Sequence, residues 1–172
     1  SLLGDRLDTA ERYQDAIEVY GRIPSTSPLY QNAQLQIAQD LSKLKKTDEA
    51  LATLTGALKG NADDVEIHAS IGDVMRQQER YVDAANAYSK AIALISKPEE
   101  RHWTLFYTRG ISYERSKRWA EAERDLKLAL TLKPEQPLVM NYLAYTWVEQ
   151  GTNIEAALKM LQRAVELRPE DG

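Results

Sequence analysis

Residues 71–91 read IGDVMRQQERYVDAANAYSKA. An apolar–small pair, Ile71-Gly72, is followed by a large residue, Met75; then come Ala84, Tyr88 four positions later and Ala91 three beyond that. The same order recurs along the chain. Ala16, Ala50, Ala84, Ala122 and Ala157 stand at intervals of 34, 34, 38 and 35 residues. The large residue four places on is Tyr20, Leu54, Tyr88, Leu126 or Leu161, and the next, mostly small, is Ile23, Ala57, Ala91, Ala129 or Ala164. Upstream lie Leu3-Gly4, Ile37-Ala38, Ile71-Gly72, Arg109-Gly110 and Leu143-Ala144, with Leu7, Leu41, Met75, Tyr113 and Trp147 three residues past each pair. Self-similarity near 34 residues is the mark of a solenoid.

Each repeat holds two runs of helical apolar spacing around a short polar break. In residues 31–59 these are QNAQLQIAQDLSKL and DEALATLTGALK, split by KKT. Small residues at matched positions let two helix backbones approach, and large residues fill the space between them. The spacing therefore predicts helix hairpins in which Gly72 faces Ala84 and Ala91 seats the next repeat. Ser27-Pro28 reads as an N-cap with proline in the first turn, and Asp63 or Asp64 as the cap of the following repeat. Pro134 and Pro169 follow helix ends, where a missing amide does no harm.

The pattern resembles the tetratricopeptide repeat, with its W-x-x-L-G-x-x-Y, A-x-x-x-F and P signature. The resemblance covers the whole chain, as repeats near 1–30 (first helix truncated), 31–64, 65–98, 103–136 and 137–171. It implies an all-α, right-handed superhelical solenoid of about five hairpins over residues 1–172. The chain departs from the signature in places. His68, Phe106 and Met140 stand where tryptophan is usual, Arg109 replaces an apolar residue, and Ala62 and Ser96 replace proline. SLLGDRLDTAERY opens partway through a repeat, so the sequence reads as a piece of a longer repeat protein.

Two length anomalies stand out. Glu99-Glu100-Arg101-His102 are four extra residues, about one helical turn, and predict a helix from about Pro98 to Arg115. Gly151-Thr152-Asn153 gives the last repeat a longer inner turn and predicts a wider loop.

Composition narrows the chemistry. Lys plus Arg number 22 against 26 Asp plus Glu, a net charge of −4, which argues against nucleic acid as partner. No apolar run reaches the 18 residues of a membrane span. There is no cysteine, which excludes disulfides, thiol catalysis and Cys-based zinc sites. His68 and His102 lack a third ligand candidate, so no metal or other cofactor is expected. Nucleophile-elbow, P-loop and dinucleotide motifs are missing. Ser42-Lys43-Leu44-Lys45 spells S-x-x-K without its partner motifs, and Gly56 and Gly60 form G-x-x-x-G without a membrane span. The chain is expected not to be an enzyme.

What remains is surface. The tetratricopeptide architecture implies that the first helix of each repeat lines a concave groove. Spacing places Leu35, Gln39 and Ser42, then Ala69, Asp73 and Arg76, on that face. Further along it holds Tyr107, Ile111 and Glu114, then Asn141, Tyr145 and Val148 with Leu138 nearby. The C-terminal part is the more aromatic, which suits recognition. Chaperone cofactors of this family clamp a peptide's C-terminal carboxylate with basic and amide side chains. The matching positions here are Leu35, Gln39, Ser70, Thr104 and Thr108, or one repeat later Ala69, Asp73, Thr108, Leu138 and Tyr142. Neither set grips a carboxylate.

Residues 140–172 also resemble a segment of long bacterial tetratricopeptide lipoproteins on the periplasmic face of the outer membrane. One kind of these tethers a processing protease to its substrates. The sequence thus leads to a non-catalytic scaffold that binds a peptide or protein in its groove, with a bacterial envelope adaptor as the specific form and a cytoplasmic location as the alternative. Two other readings stand beside it, an oligomeric assembly module and a regulatory region of a larger enzyme. Leu158, Leu161 and Val165 are expected to form an apolar stripe on the last helix, open to more repeats or to another copy.

Overall fold

Apolar residues return every three or four positions in each run, the spacing that gives one face of a helix. The structure, a computed structural model, describes residues 2–167, with side chains from Thr9 onward. Among the described residues there are nine α-helices and no strands. They are α1 (Leu2–Gly21), α2 (Tyr30–Lys43), α3 (Thr47–Leu58), α4 (Val65–Gln77), α5 (Tyr81–Ala93), α6 (Trp103–Arg115), α7 (Trp119–Leu132), α8 (Pro137–Gln150) and α9 (Ile154–Leu167).

The chain forms two compact units, Ser1–Leu94 and Ile95–Gly172. In the first, α1 packs on α2, the hairpins are α2/α3 and α4/α5, and α2 lies beside α4. In the second, the hairpins are α6/α7 and α8/α9, and α6 lies beside α8. First helices of consecutive repeats are thus neighbours within each unit.

The seam of each hairpin is built from the periodic residues. Ala50, Ala84, Ala122 and Ala157 are fully buried, as are Leu54, Tyr88 and Leu126. The side chain nearest to Gly72 is that of Tyr88. A Cβ placed on Gly72 would lie 2.5 Å from Tyr88 Cε1. Helical side chains lean toward their own N-terminus, so the long tyrosine reaches back over the spot that the short alanine leaves open. Gly110 is paired in the same way with Leu126, at 3.1 Å.

The inner turns repeat one geometry. Lys45, Glu79, Lys117 and Gly151 are left-handed, with φ of 64°, 61°, 63° and 67°. After each, an amide returns to the last helical turn: Lys46 to Leu41, Arg80 to Met75, Arg118 to Tyr113 and Thr152 to Trp147, at 2.8–3.0 Å. These bonds, with the shorter ones beside them, close the Schellman motif and satisfy carbonyls the helix end leaves open. In the last repeat two residues, Thr152 and Asn153, separate the left-handed residue from α9, giving the wider loop. Asp64 caps α4, its carboxylate accepting from the Ile67 amide at 3.0 Å.

Three local expectations are corrected. Residues 1–30 do not fold as a shortened first helix, a turn and a second helix: α1 is one continuous helix. The four added residues do not lengthen α6 as α-helix. Pro98 stays outside, and Glu100–His102 form a 3-10 turn whose box is closed by the Glu99 amide donating to His102 Nδ1 at 2.9 Å. Ser27 accepts from the Leu29 amide at 3.1 Å but stands before the helix, since α2 begins only at Tyr30. Leu3, Gly4, Leu7 and Pro169 lie outside the described side chains.

The seam makes a prediction of opposite signs. Gly72→Ala gains helix propensity worth about 1 kcal/mol but forces the Tyr88 ring aside at a cost of about 1–3 kcal/mol. Thermal denaturation should show it lowering stability in the parent and raising it in a Tyr88→Leu background, which copies the Ala38/Leu54 pair. A gain in both backgrounds would remove the Gly72–Tyr88 constraint.

Candidate functional site

Two surfaces are built on first helices. In the first unit, α2 and α4 leave a pocket of about 380 Å³ between them. Its apolar lining is Leu35, Ala38 and Val74, and its polar lining is Asn32, Gln36, Gln39, Ser70, Asp73 and Gln77. Leu35, Gln39 and Asp73 line it together. Ser42 does not join them. It is buried and clamps the two repeats, its Oγ donating to Gln77 Oε1 at 2.8 Å while Gln78 Nε2 donates to its carbonyl at 3.1 Å.

Asp73 and Arg76 meet on the hydroxyl of Tyr88. The phenol donates to Asp73 Oδ1 at 2.5 Å, and Arg76 Nε donates to the phenol oxygen at 3.1 Å. Burial, and then the Asp73 charge, push the Tyr88 phenol far above its ordinary value, so it stays a donor. Burial also raises the Asp73 carboxyl, against the lowering by Tyr88 and Arg76. The Asp73 side chain nevertheless keeps 47% of its surface open.

In the second unit, aromatic rings step from α6 to α8. Trp103 and Tyr107 are 5.7 Å apart, Tyr107 meets Tyr142 edge-on at 6.2 Å, and Tyr142 meets Tyr145 at 6.3 Å. Tyr107 and Ile111 are half-buried. Tyr145 is 54% exposed, and Leu138, Asn141 and Val148 are exposed on the same helix. Positions 138, 141, 145 and 148 follow helical i, i+3, i+7 and i+10 spacing and so share one face.

Glu114 is a correction to the open groove: it is only 4% exposed. Its carboxylate accepts from Tyr142 Oη at 2.6 Å. Burial raises its pKa, opposed by the Tyr142 bond and reinforced by neighbouring Glu149. Arg109, the charged departure from the repeat pattern, is answered by Asp125 on the facing helix. Its Nε and Nη2 donate to the two carboxylate oxygens at 2.6 and 2.8 Å. Asp125 is buried, and the guanidinium also sits 5.8 Å from the Phe106 ring centre and 5.5 Å from that of Tyr113. One repeat earlier the same 16-residue spacing holds Ile71 and Ala87, so an apolar pair has been exchanged for an ionic one.

Asn32, Gln36, Ser70 and Gln77 escaped the spacing argument, although the i, i+4, i+7 amide row Asn32, Gln36, Gln39 is visible in sequence. Asp125 was legible only by comparing repeats once Arg109 had been noticed. Among the described residues, no cluster of three or more His, Asp or Glu side chains could hold a metal ion. Nor is any helix there long and apolar enough to cross a membrane.

A family profile described as Tetratricopeptide repeat matches residues 35–98 and 107–172. The chain belongs to the tetratricopeptide repeat family. This is a family of protein–protein interaction scaffolds, generally without catalysis of their own. Among curated relatives, the human protein O-mannosyl-transferase TMTC1 is 23% identical over 99% of this chain but 19% of its own length. The TPR repeat-containing protein PA4667 of Pseudomonas aeruginosa is 25% identical over 81% of this chain and 23% of its own. The chain thus spans about a fifth of the curated relatives it matches. Among solved structures, MamA superposes with a TM-score of 0.74 at 18% identity, covering 98% of this chain and 95% of that one. YrrB, described as a TPR protein with an unusual peptide-binding site, gives 0.66 at 21%, covering 93% and 76%. At these identities the likeness is one of fold.

Three variants probe the charges set into the helix packing. Asp125→Ala takes away the buried carboxylate that answers the Arg109 guanidinium and should cost about 3–5 kcal/mol; Arg109→Ile with Asp125→Ala restores the apolar pair and should recover most of it in denaturant unfolding. Failure of the double variant to recover would contradict the exchange. Glu114 has a folded pKa raised above its ordinary 4.5, so its contribution is present below that value and is lost as pH rises through the raised one. Glu114→Gln should accordingly gain stability relative to the parent as pH rises above 4.5, and a difference that stays constant with pH would refute the assignment.

Proposed function

We propose that this chain is a non-catalytic scaffold that holds a peptide or protein partner along its first-helix faces. The observation that carries the reading is the exposed row Leu138, Asn141, Tyr145 and Val148 beside the ring ladder of α6 and α8. Buried aromatics need no such exposure for folding, and a tyrosine offers wide contact area with a polar tip at small entropic cost. Repeat spacing alone also accounts for α6 and α8 as helices, leaving these side chains unassigned to the hairpin seam.

Within that reading we place the chain as an adaptor of a bacterial envelope, bringing a protease or another enzyme to its substrates. The likeness of residues 140–172 to bacterial tetratricopeptide lipoproteins supports it, and so does the relation to a Pseudomonas protein. The assembly reading draws on a separate observation. On α9, Ile154, Leu158 and Val165 are 42%, 59% and 65% exposed on one face, whereas Leu161 is drawn half inside. Of the expected Leu158, Leu161 and Val165, two are exposed, and Ile154 lies on the same face.

A crosslinking capture from a Gram-negative envelope extract separates these readings. Tyr145→Ala/Val148→Ala removes two exposed side chains and should leave the melting temperature unchanged while lowering partner recovery at least about tenfold. Equal recovery by parent and variant would refute the groove reading. Recovery of the chain's own copies alone, abolished by Leu158→Glu, would establish assembly through α9 instead.

A further inference from the structure

The α2–α4 pocket has a chemistry of its own. Its only ionisable lining residue is Asp73, and its remaining polar lining consists of carboxamides and one hydroxyl. Among the described residues no lysine or arginine lines it, and Arg76 stands beside it, donating to Tyr88 and paired with Asp73. Both partners of Asp73 use the same oxygen: Tyr88 Oη donates to Oδ1, and Arg76 Nη2 lies 3.5 Å from Oδ1. The pocket therefore presents one anionic acceptor, half-exposed, over an apolar floor of Leu35, Ala38 and Val74.

Asn32, Gln36 and Gln39 stand at i, i+4 and i+7 on α2. At 1.5 Å per residue they cover about 10 Å along the helix, the length of about three extended residues. Each carboxamide has both a donor and an acceptor to offer, matching the N–H and C=O of a strand-like backbone laid along it. A guanidinium is best met by two carboxylate oxygens in a fork. Asp73 already holds Tyr88 and Arg76 and so offers no open fork, which suits the compact ammonium of lysine, with carboxamide carbonyls for its remaining donors.

We infer that this pocket binds an extended peptide segment through the ammonium of a lysine side chain, seated on Asp73 with its backbone along the α2 carboxamide row. The site is opposite in sign to a carboxylate clamp and selects a basic segment where that would select an acidic end. The inference rests on the first-helix faces being peptide-binding surfaces, and names the ligand chemistry for the first unit.

The probe is the capped pentapeptide acetyl-Gly-Ala-Lys-Ala-Gly-amide, titrated into the nitrogen-15-labelled chain and followed by amide shifts. A companion peptide carries norleucine, which keeps the lysine stem and deletes the charge, and a third carries arginine. The expected result is saturable shifts within 32–39 and 70–77, with binding about tenfold weaker for norleucine. Arginine should fall between the two. Asp73→Asn, which keeps an oxygen for Tyr88 to donate to, should bring the lysine peptide down to the norleucine level. Equal binding of the lysine and norleucine peptides would overturn the ammonium site while leaving groove binding intact. Shifts absent from α2 and α4 with every peptide would overturn both for this unit. The norleucine comparison changes nothing in the protein, so neither outcome depends on a variant's folding.

Discussion

Everything in this chain depends on two helices lying close enough for a large side chain to fill the notch left by a small one. Tyr88 over Gly72 and Leu126 over Gly110 are the tightest cases, with no room for even a Cβ at the first. Close packing of this kind fixes the distance and direction of the helices, because interiors tolerate neither voids nor overlap. Once the seam is set by the second helix of a repeat, part of the far side of the first helix stays exposed, as at Gln39, Asn141 and Tyr145. That division of labour lets surface residues such as Tyr145 or Gln39 vary in chemistry without disturbing the hairpin.

Polar groups enter the buried parts only where each finds a partner. Arg109 is tied at both ends of its fork to Asp125, Ser42 is held by Gln77 and Gln78, and the Trp147 indole donates to Glu123 at 2.6 Å. Among the described residues no buried side-chain nitrogen or oxygen lacks a hydrogen bond. Such groups stabilise little compared with a well-packed apolar pair, but removing one partner strands the other in a poor dielectric. They therefore lock the register between particular helices, in contrast to the interchangeable leucines and alanines of the seam.

The periodic residues made the hairpins legible, since small–large alternation at 34-residue intervals has few other physical solutions. A cap at Asp63 or Asp64 and the wide turn at Gly151 were also readable, because each depends on local chemistry, and the structure selects Asp64. Contacts that depend on side-chain length were not. Nothing in the spacing told that Tyr88 would reach Gly72 past Ala84, or that its hydroxyl would draw together Asp73 and Arg76. Glu114 was placed on the groove by helical phase alone, yet Tyr142, 28 residues away, covers it. Periodicity assigns a face, and only the neighbouring helix decides how much of that face stays open.

The central claim is that partners meet the first-helix face and not the outer helices. A benzophenone side chain placed at Tyr145 on α8, and in a separate variant at Leu128 on α7, tests it directly. Both positions are exposed, at 54% and 39%, so labelling of each is physically open. Illumination in an envelope extract should join a partner at position 145 and leave position 128 uncoupled. Coupling at 128 with none at 145 would place recognition on the outer helices and contradict the account.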